Sequence, residues 1–286
     1  MSTSAIRRPK LRVSAFVQRD GTVRVGWDPD RSYILTPPPG VEPKVLLDIL
    51  GQLDGAHSRA HVVWFGCTVG LTGNSMSTLL AELDEAGLLS EGVLPSTDGT
   101  ASSVMTVHIL GRGPLSDALA AGLTPSSILV VERSSVAPAQ LLQVDDAGWP
   151  CDIVVLADDM APDPRVITSL VRSRTPHLQV RIRDGKGIVG PFVDPGNTSC
   201  LRCAELIRCS LDPQWPHVSA QLLGRVGEAT KPTVLATAAV ALAQIEAFVA
   251  GHDAALGDMS LELDLVAHTM DSRHWVRHPG CDCALV

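Results

Sequence analysis

Thr198-Ser199-Cys200-Leu201-Arg202-Cys203 and His278-Pro279-Gly280-Cys281-Asp282-Cys283 decide how this chain is read. Each segment sets two thiols on a tight turn, where both can reach one ion. Together they supply four soft sulfur ligands, the donor set of a tetrahedral zinc site. The pairs stand far apart in sequence. One ion held by Cys200, Cys203, Cys281 and Cys283 would therefore tie the end of the chain back to its middle. Two other readings stay open on the residues alone: a redox-active Cys200/Cys203 dithiol, or four unligated buried thiols. Structural zinc is the expectation.

Composition bounds the rest. The chain has 286 residues, 45% of them hydrophobic and 19% charged, which suits a globular protein with room for two domains. Seven cysteines in a chain of this length fit a reducing compartment better than a disulfide scaffold. Cys67, Cys151 and Cys209 have no evident partner and are expected to be packed thiols, Cys209 being the spare that could exchange into the metal site. The N-terminus carries Arg7, Arg8, Lys10 and Arg12 with no apolar run of signal-peptide length behind them. The most apolar stretch, Pro232 to Gly251, includes Gln244 and Glu246 and reads as a buried core helix rather than a membrane span. A cytoplasmic bacterial protein is the expectation, the four lysines against nineteen arginines being the mark of a genome rich in G and C.

Upstream of the first cysteine pair, strands and helices alternate. Residues 104–110 form a strand that runs into Gly111-Arg112-Gly113-Pro114-Leu115-Ser116 and a helix to about Gly122. This is a G-x-G-x-x-G turn with Ser in the third glycine position, set where backbone amides can face a phosphate. A second strand, Ile128 to Glu132, ends on an acid at the position that contacts a ribose in dinucleotide folds. The motif is weak, since many such turns only permit close helix–sheet packing. A third strand, Asp152 to Leu156, leads to Asp158-Asp159 and a helix from about Asp163 to Arg174. A hairpin follows over 178–182 and 188–193, then the first cysteine pair, the helix 232–250, the strand 260–266 and the last cysteines. The fold class is α/β, a mixed sheet with helices.

The first ninety residues read differently. Residues 11–17 and 22–26 alternate about Asp20-Gly21, as in a hairpin, and a short strand covers Ser32 to Leu35. Helices follow with apolar positions at Val45, Leu46, Ile49, Leu50 and Leu53, over roughly 57–66, and over Ser75 to Ala86 with the stripe Met76, Leu79, Leu80 and Leu83. Residues 91–103 read as a linker between a domain over 1–90 and one over 104–286. Three strands and three helices form a winged-helix-like α+β domain. Nine Lys+Arg against nine Asp+Glu leave residues 1–90 neutral, and the last helix has Glu82, Asp84 and Glu85 without a basic residue. With a net charge of −8 for the chain, DNA is a poor partner. Capture of a peptide as an added strand fits better, beside Tyr33 and Leu35 and against Leu79 and Leu83, though plain core packing is the simpler role for each leucine.

The segment Gly190-Pro-Phe-Val-Asp-Pro-Gly-Asn-Thr-Ser-Cys-Leu-Arg-Cys203, the helix 232–251 with Glu246, and Cys281-Asp-Cys283 resemble the ubiquitin-activating-enzyme-like (ThiF-type) superfamily. Residues 11–90 are similar to the peptide-recognition domain of the docking component of thiazole/oxazole-modified peptide cyclodehydratases, a bacteriocin biosynthesis family. The resemblance implies a truncated Rossmann-like domain with structural zinc. It also implies a vestigial nucleotide site at Gly111, Gly113, Glu132 and Asp158, with Asp158 or Asp159 matching the family's magnesium-binding acid. Members that adenylate a carboxylate follow the second strand with an arginine and a lysine. Here Ser134 through Pro150 contain neither, which leaves Arg112 as a lone candidate cation. The resemblance thus implies a scaffold without catalytic residues, binding a leader peptide and a partner enzyme of the YcaO type, and pairing with a second copy. Two rivals stand beside it: an ATP- and Mg2+-using adenylyltransferase, and a winged-helix regulatory protein.

Overall fold

Residues 8–92, 104–125, 129–136, 148–252 and 255–285 are described by the computed structural model of the chain. It divides into two units, Met1–Ser102 and Ser103–Val286. Of the expected linker, residues 93–103 lie outside the described residues, while 91 and 92 belong to a strand.

In the first unit, the single strand expected over 11–17 is replaced by two. Strand β1 (Arg8–Leu11) and β2 (Ala15–Val17) are separate, and β1 pairs antiparallel with β5 (Leu89–Gly92), eighty residues away. Strands β2, β3 (Val23–Val25) and β4 (Tyr33–Leu35) form an antiparallel sheet in that order. Helices α1 (Pro43–Gly51), α2 (Arg59–Thr68) and α3 (Gly73–Glu85) lie between β4 and β5 in sequence. Pro43 sits in the first turn of α1, where a missing N–H costs nothing. Ser58 and Thr72 cap α2 and α3 by accepting the N–H of His61 and Ser75. The apolar residues at three- and four-residue spacing meet in one core: Leu46, Ile49 and Leu50 of α1 with Val23, Val25, Met76, Leu80 and Leu83.

The second unit is built on a seven-stranded mixed sheet. Its strands are β6 (Met105–Leu110), β7 (Leu129–Ser134), β8 (Ile153–Asp158), β9 (His177–Arg183), β10 (Lys186–Val193), β11 (Met259–Asp264) and β12 (Thr269–His274). They lie in the order β12-β11-β10-β9-β8-β6-β7, parallel from β7 to β9 and antiparallel from β9 to β12. Both faces are covered, as parallel strands require. Along β8, Ile153, Val155 and Ala157 join one core with Leu115, Leu119, Ala241 and Ile245, while Val154 and Leu156 join another with Leu170, Leu201 and Cys203. The first core belongs to α4 (Pro114–Gly122) and α8 (Lys231–Val249), the second to α5 (Pro164–Arg172) and α6 (Leu201–Leu211). A short helix, α7 (Trp215–Leu222), follows α6.

Helix α8 is long and apolar enough to cross a membrane by length and composition. Here it buries Val234, Ala238, Ala241 and Ile245 against the sheet. Gly187 of β10 permits that approach, since a Cβ there would collide with Thr237 Oγ1.

Candidate metal centre and glycine turn

Cys200 caps the N-terminus of α6 and Cys203 lies in its first turn, so one helical start presents both sulfurs. Cys281 follows the Pro279-Gly280 turn, and Cys283 stands in a single 3-10 turn, Asp282–Leu285. The four Sγ atoms lie within 4.8 Å of one another. Individual separations are 3.8 Å for Cys200–Cys203, 3.6 Å for Cys200–Cys281 and 3.4 Å for Cys203–Cys283. A tetrahedron of sulfurs at the usual zinc–sulfur bond length has edges of about 3.8 Å, while a disulfide needs about 2 Å. The sulfurs therefore enclose a space of the right size for a metal ion such as zinc. Cys200, Cys203 and Cys283 are buried against Leu170, Leu201 and Val193.

The scaffold around the cysteines locks both arms. Arg202 and Asp282, each beside a cysteine, form an ion pair at 3.0 Å across the two segments. The Ser199 N–H donates to Asp258 at 2.6 Å, and Arg277 donates to the Gly196 carbonyl. Burial pushes the Cys200 thiol well up, and burial with hydrogen bonds among the sulfurs pushes Cys283 up to about 11. Burial also acts upward on Cys203, but hydrogen bonds at the backbone of His278 and Cys200, with those from Cys283 and Cys281, outweigh it and bring that thiol below its ordinary value. Thiolates gathered this closely repel one another unless a cation lies among them, which a divalent metal supplies. Cys209 stands apart on α6, lining a cavity of about 490 Å³ with Ile167, Gln179 and Glu205. Cys151 is half-buried, its thiol pushed up to about 12 by burial. Cys67 is exposed, against the expectation of a packed thiol.

The glycine turn lies where the strand order reverses, between β6 and β8, the place where open α/β sheets bind ligands. Its amides are already engaged. Asp158, at the end of β8, is 1% exposed and adopts φ +75°. Its carboxylate accepts the N–H of Gly113 at 2.7 Å and of Leu115 at 2.8 Å, and lies 3.3–3.4 Å from the N–H of Ser116. Pro114 has no N–H to add. The glycines make room for this acid: a Cβ on Gly111 or Gly113 would come within 2.7 Å of an Asp158 oxygen. The nearby cations are committed as well. Arg112 donates to the Gly224 carbonyl, and Arg133 pairs with Asp117 at 2.6 Å and donates to Ser116 Oγ.

Beside the turn a cavity of about 440 Å³ remains, lined by Leu110, Arg112, Leu156, Asp159, Asp163 and Arg165. Burial raises the Asp159 carboxyl, whose Oδ1 has no hydrogen-bond partner, so of the paired acids Asp159 faces this space. Glu132 lies 3.7 Å from His108 Nδ1 and is half exposed. In the first unit the Tyr33 hydroxyl donates to Glu82 of α3 at 3.1 Å, which brings α3 beside β4. Leu35 and Leu83 are core residues with 7% and 0% of their surface exposed, while Leu79 is half-buried at the margin of that core.

No protein-family model and no curated protein matches the chain. Solved structures do. A heterocyclase in complex with substrate and cofactor aligns over 98% of this chain and 40% of its own, with 15% identity and a TM-score of 0.61. The heterocyclase TruD aligns over 97% and 43%, with 16% identity and a TM-score of 0.58. The E. coli protein MccB, solved with ATP, aligns over 96% of this chain and 99% of its own, with 12% identity and a TM-score of 0.59. The likeness is one of fold. It extends through both units, and the chain spans about two fifths of the length of the two heterocyclases.

Proposed function

We propose that the chain is a non-catalytic scaffold of a cyclodehydratase system, a zinc-stapled relative of ThiF-type enzymes. The observation that carries this reading is the Asp158 carboxylate, seated on the amides where a nucleotide phosphate would bind. An anion entering there would meet a fixed negative charge, with Arg112 and Arg133 already committed elsewhere. The heterocyclases that share the fold over part of their length support the assignment to that kind of system.

In this reading the first unit is a winged-helix-like domain that receives the leader segment of a ribosomal precursor peptide. The segment would add as a strand to the edge of β4 that pairs with no strand among the described residues, with α3 alongside and Tyr33 and Leu79 at the contact. Leu35 and Leu83 would shape the site from the core. The second unit, clasped by zinc at Cys200, Cys203, Cys281 and Cys283, would hold the modifying enzyme, an ATP-using protein of the YcaO type. The setting would be cytoplasmic.

A specific observation favours one rival. MccB, solved with ATP, matches this chain almost from end to end of both, and the cavity containing Asp159 lies beside the glycine turn. An ATP-dependent adenylyltransferase acting on a peptide carboxylate is therefore the second reading. Calorimetry of the untagged chain with Mg-ATP, followed by pyrophosphate exchange in the presence of candidate precursor peptides, separates the two. The scaffold reading expects no heat of nucleotide binding and no exchange. Micromolar binding with exchange would establish the enzyme.

A further inference from the structure

We propose that the cavity of about 490 Å³ between α5, α6 and α7 binds a small apolar monocarboxylate, its head group toward Gln179 and Arg208 and its body among Ile167, Leu201, Ala204, Pro216 and Leu223. The inference stands whether or not the protein binds nucleotide. Pro162 and Leu223 line both this cavity and the one beside the glycine turn, and so divide the two. The volume lies within the range of pockets that enclose small organic ligands.

Strand β9 is buried on both faces, where such strands ordinarily carry apolar side chains. Leu178, Val180 and Ile182 follow that rule and join the core under α8. The alternate residues His177, Gln179 and Arg181 face the α5–α6 side and are buried as well. His177 bonds to the Thr175 carbonyl. Gln179, 4% exposed, lines the cavity, and its carboxamide makes no hydrogen bond among the described residues. A buried amide left unpaired is costly, and a ligand able to pair with it offsets that cost.

The surrounding charges fix the sign of the head group. Arg181 is 7% exposed, donates to the Met160 carbonyl at 2.8 Å, and has an Nε without a partner. It forms no ion pair among the described residues. Burial, with Arg208 adding to it, draws its pKa down to about 9, so at neutral pH it is still a cation. Arg183 and Arg273 act on it in the same sense. Arg208 stands in the cavity wall, over the Trp215 and Trp275 rings at 5.6 and 4.9 Å from their centroids. Glu205 is the carboxylate that acts on both Arg181 and Arg208, and it already accepts from Arg208 and from Trp215 Nε1. Two guanidinium groups against one carboxylate leave a positive charge in a place poor in water, where an anion is stabilising. The rest of the wall is apolar, so the anion that fits carries an apolar body. A bare inorganic anion would leave Ile167, Leu201 and Leu223 uncovered.

Calorimetry of the untagged full-length chain at neutral pH tests this with octanoate as the probe. Acetate, which lacks the body, and octanamide, which lacks the charge, are the comparisons. Octanoate should saturate at about one per chain, with acetate and octanamide at least about tenfold weaker. Gln179→Met gives up no internal hydrogen bond and should fold like the wild type, yet weaken octanoate about tenfold. Ala220→Trp, at an exposed position on the cavity wall, should abolish binding by filling the space. Arg165→Ala removes an exposed arginine from the neighbouring cavity and should leave octanoate affinity unchanged. Circular dichroism and metal content report that each variant is folded. No saturable octanoate binding, equal affinity for octanamide, or wild-type affinity in folded Gln179→Met or Ala220→Trp would each overturn the proposal. So would loss of binding in folded Arg165→Ala, which would put octanoate beside the glycine turn instead.

Discussion

At the scale of the single residue, Asp158 matters most. Its carboxylate is buried and serves several backbone N–H groups at once, of which Gly113 has a second acceptor in Ser116 Oγ at 3.1 Å. Asp158→Asn keeps the shape and tolerates the positive φ, but turns one acceptor oxygen into a donor facing other donors. The expected loss is about 1–3 kcal/mol of stability, read from denaturant midpoints. A loss below about 0.5 kcal/mol would mean that water or another group serves those amides. His177 offers a second test. It is wholly buried, donates from Nδ1 to the Thr175 carbonyl at 2.9 Å, and burial holds its pKa down to about 4. Between about pH 6.5 and pH 4 the unfolded chain takes a proton on this ring that the native state refuses. Its contribution is therefore whole above that window and lost as the pH falls through it, by roughly 3 kcal/mol. Replacing it by His177→Leu should flatten this part of the profile. The difference between the two proteins separates the histidine from any acid-driven loss of metal. Parallel profiles would show that His177 is reached by protons in the native state.

At the scale of elements, what the sequence discloses depends on how local the signal is. The strand–turn–helix at 105–122, the hairpin at 177–193 and the helix at 231–249 are readable, because each carries its own period or break within a few residues. Helices α6 and α7 are not. The start of α6 is taken up by the cysteine pair, Arg202, Glu205 and Arg208 interrupt its apolar stripe, and α7 buries no residue fully. Strand β12 is exposed along its whole length and shows no alternation. The pairing of β1 with β5 joins residues eighty positions apart, which no local pattern records. In the candidate site, the sulfur cluster is readable because thiols announce metal chemistry. The role of Asp158 is not, since it rests on a left-handed backbone and on contacts over forty residues distant. Close packing of α8 on β10 gives an element-scale prediction. Gly187→Ala would drive a methyl into Thr237 and is expected to cost about 1–3 kcal/mol, seen as a lower thermal midpoint. Pairing it with Thr237→Ala should recover most of the loss, whereas purely additive effects would show that the two sites do not touch.

At the scale of the whole molecule, stability divides along the chain. The first unit has its own core around Leu50, Met76 and Leu80, and the sulfur cluster lies wholly in the second. Hydrophobic clusters that, among the described residues, each lie within one unit favour two unfolding transitions in calorimetry, and a metal bound only by the native second unit stabilises that unit alone by mass action. A chelator should therefore lower one transition and leave the other in place, with elemental analysis finding about one zinc per chain before treatment. Cys203→Ser should reproduce the chelated profile without any chelator, because removing one buried ligand opens the tetrahedron that joins α6 to the chain's last turn. Acidification should act in the same direction as chelation, since thiolates that take up protons release the ion. If both transitions instead moved together with chelator, the two units would be one cooperative body and the clasp would support the entire chain. If neither moved, the four cysteines would be ordinary core thiols.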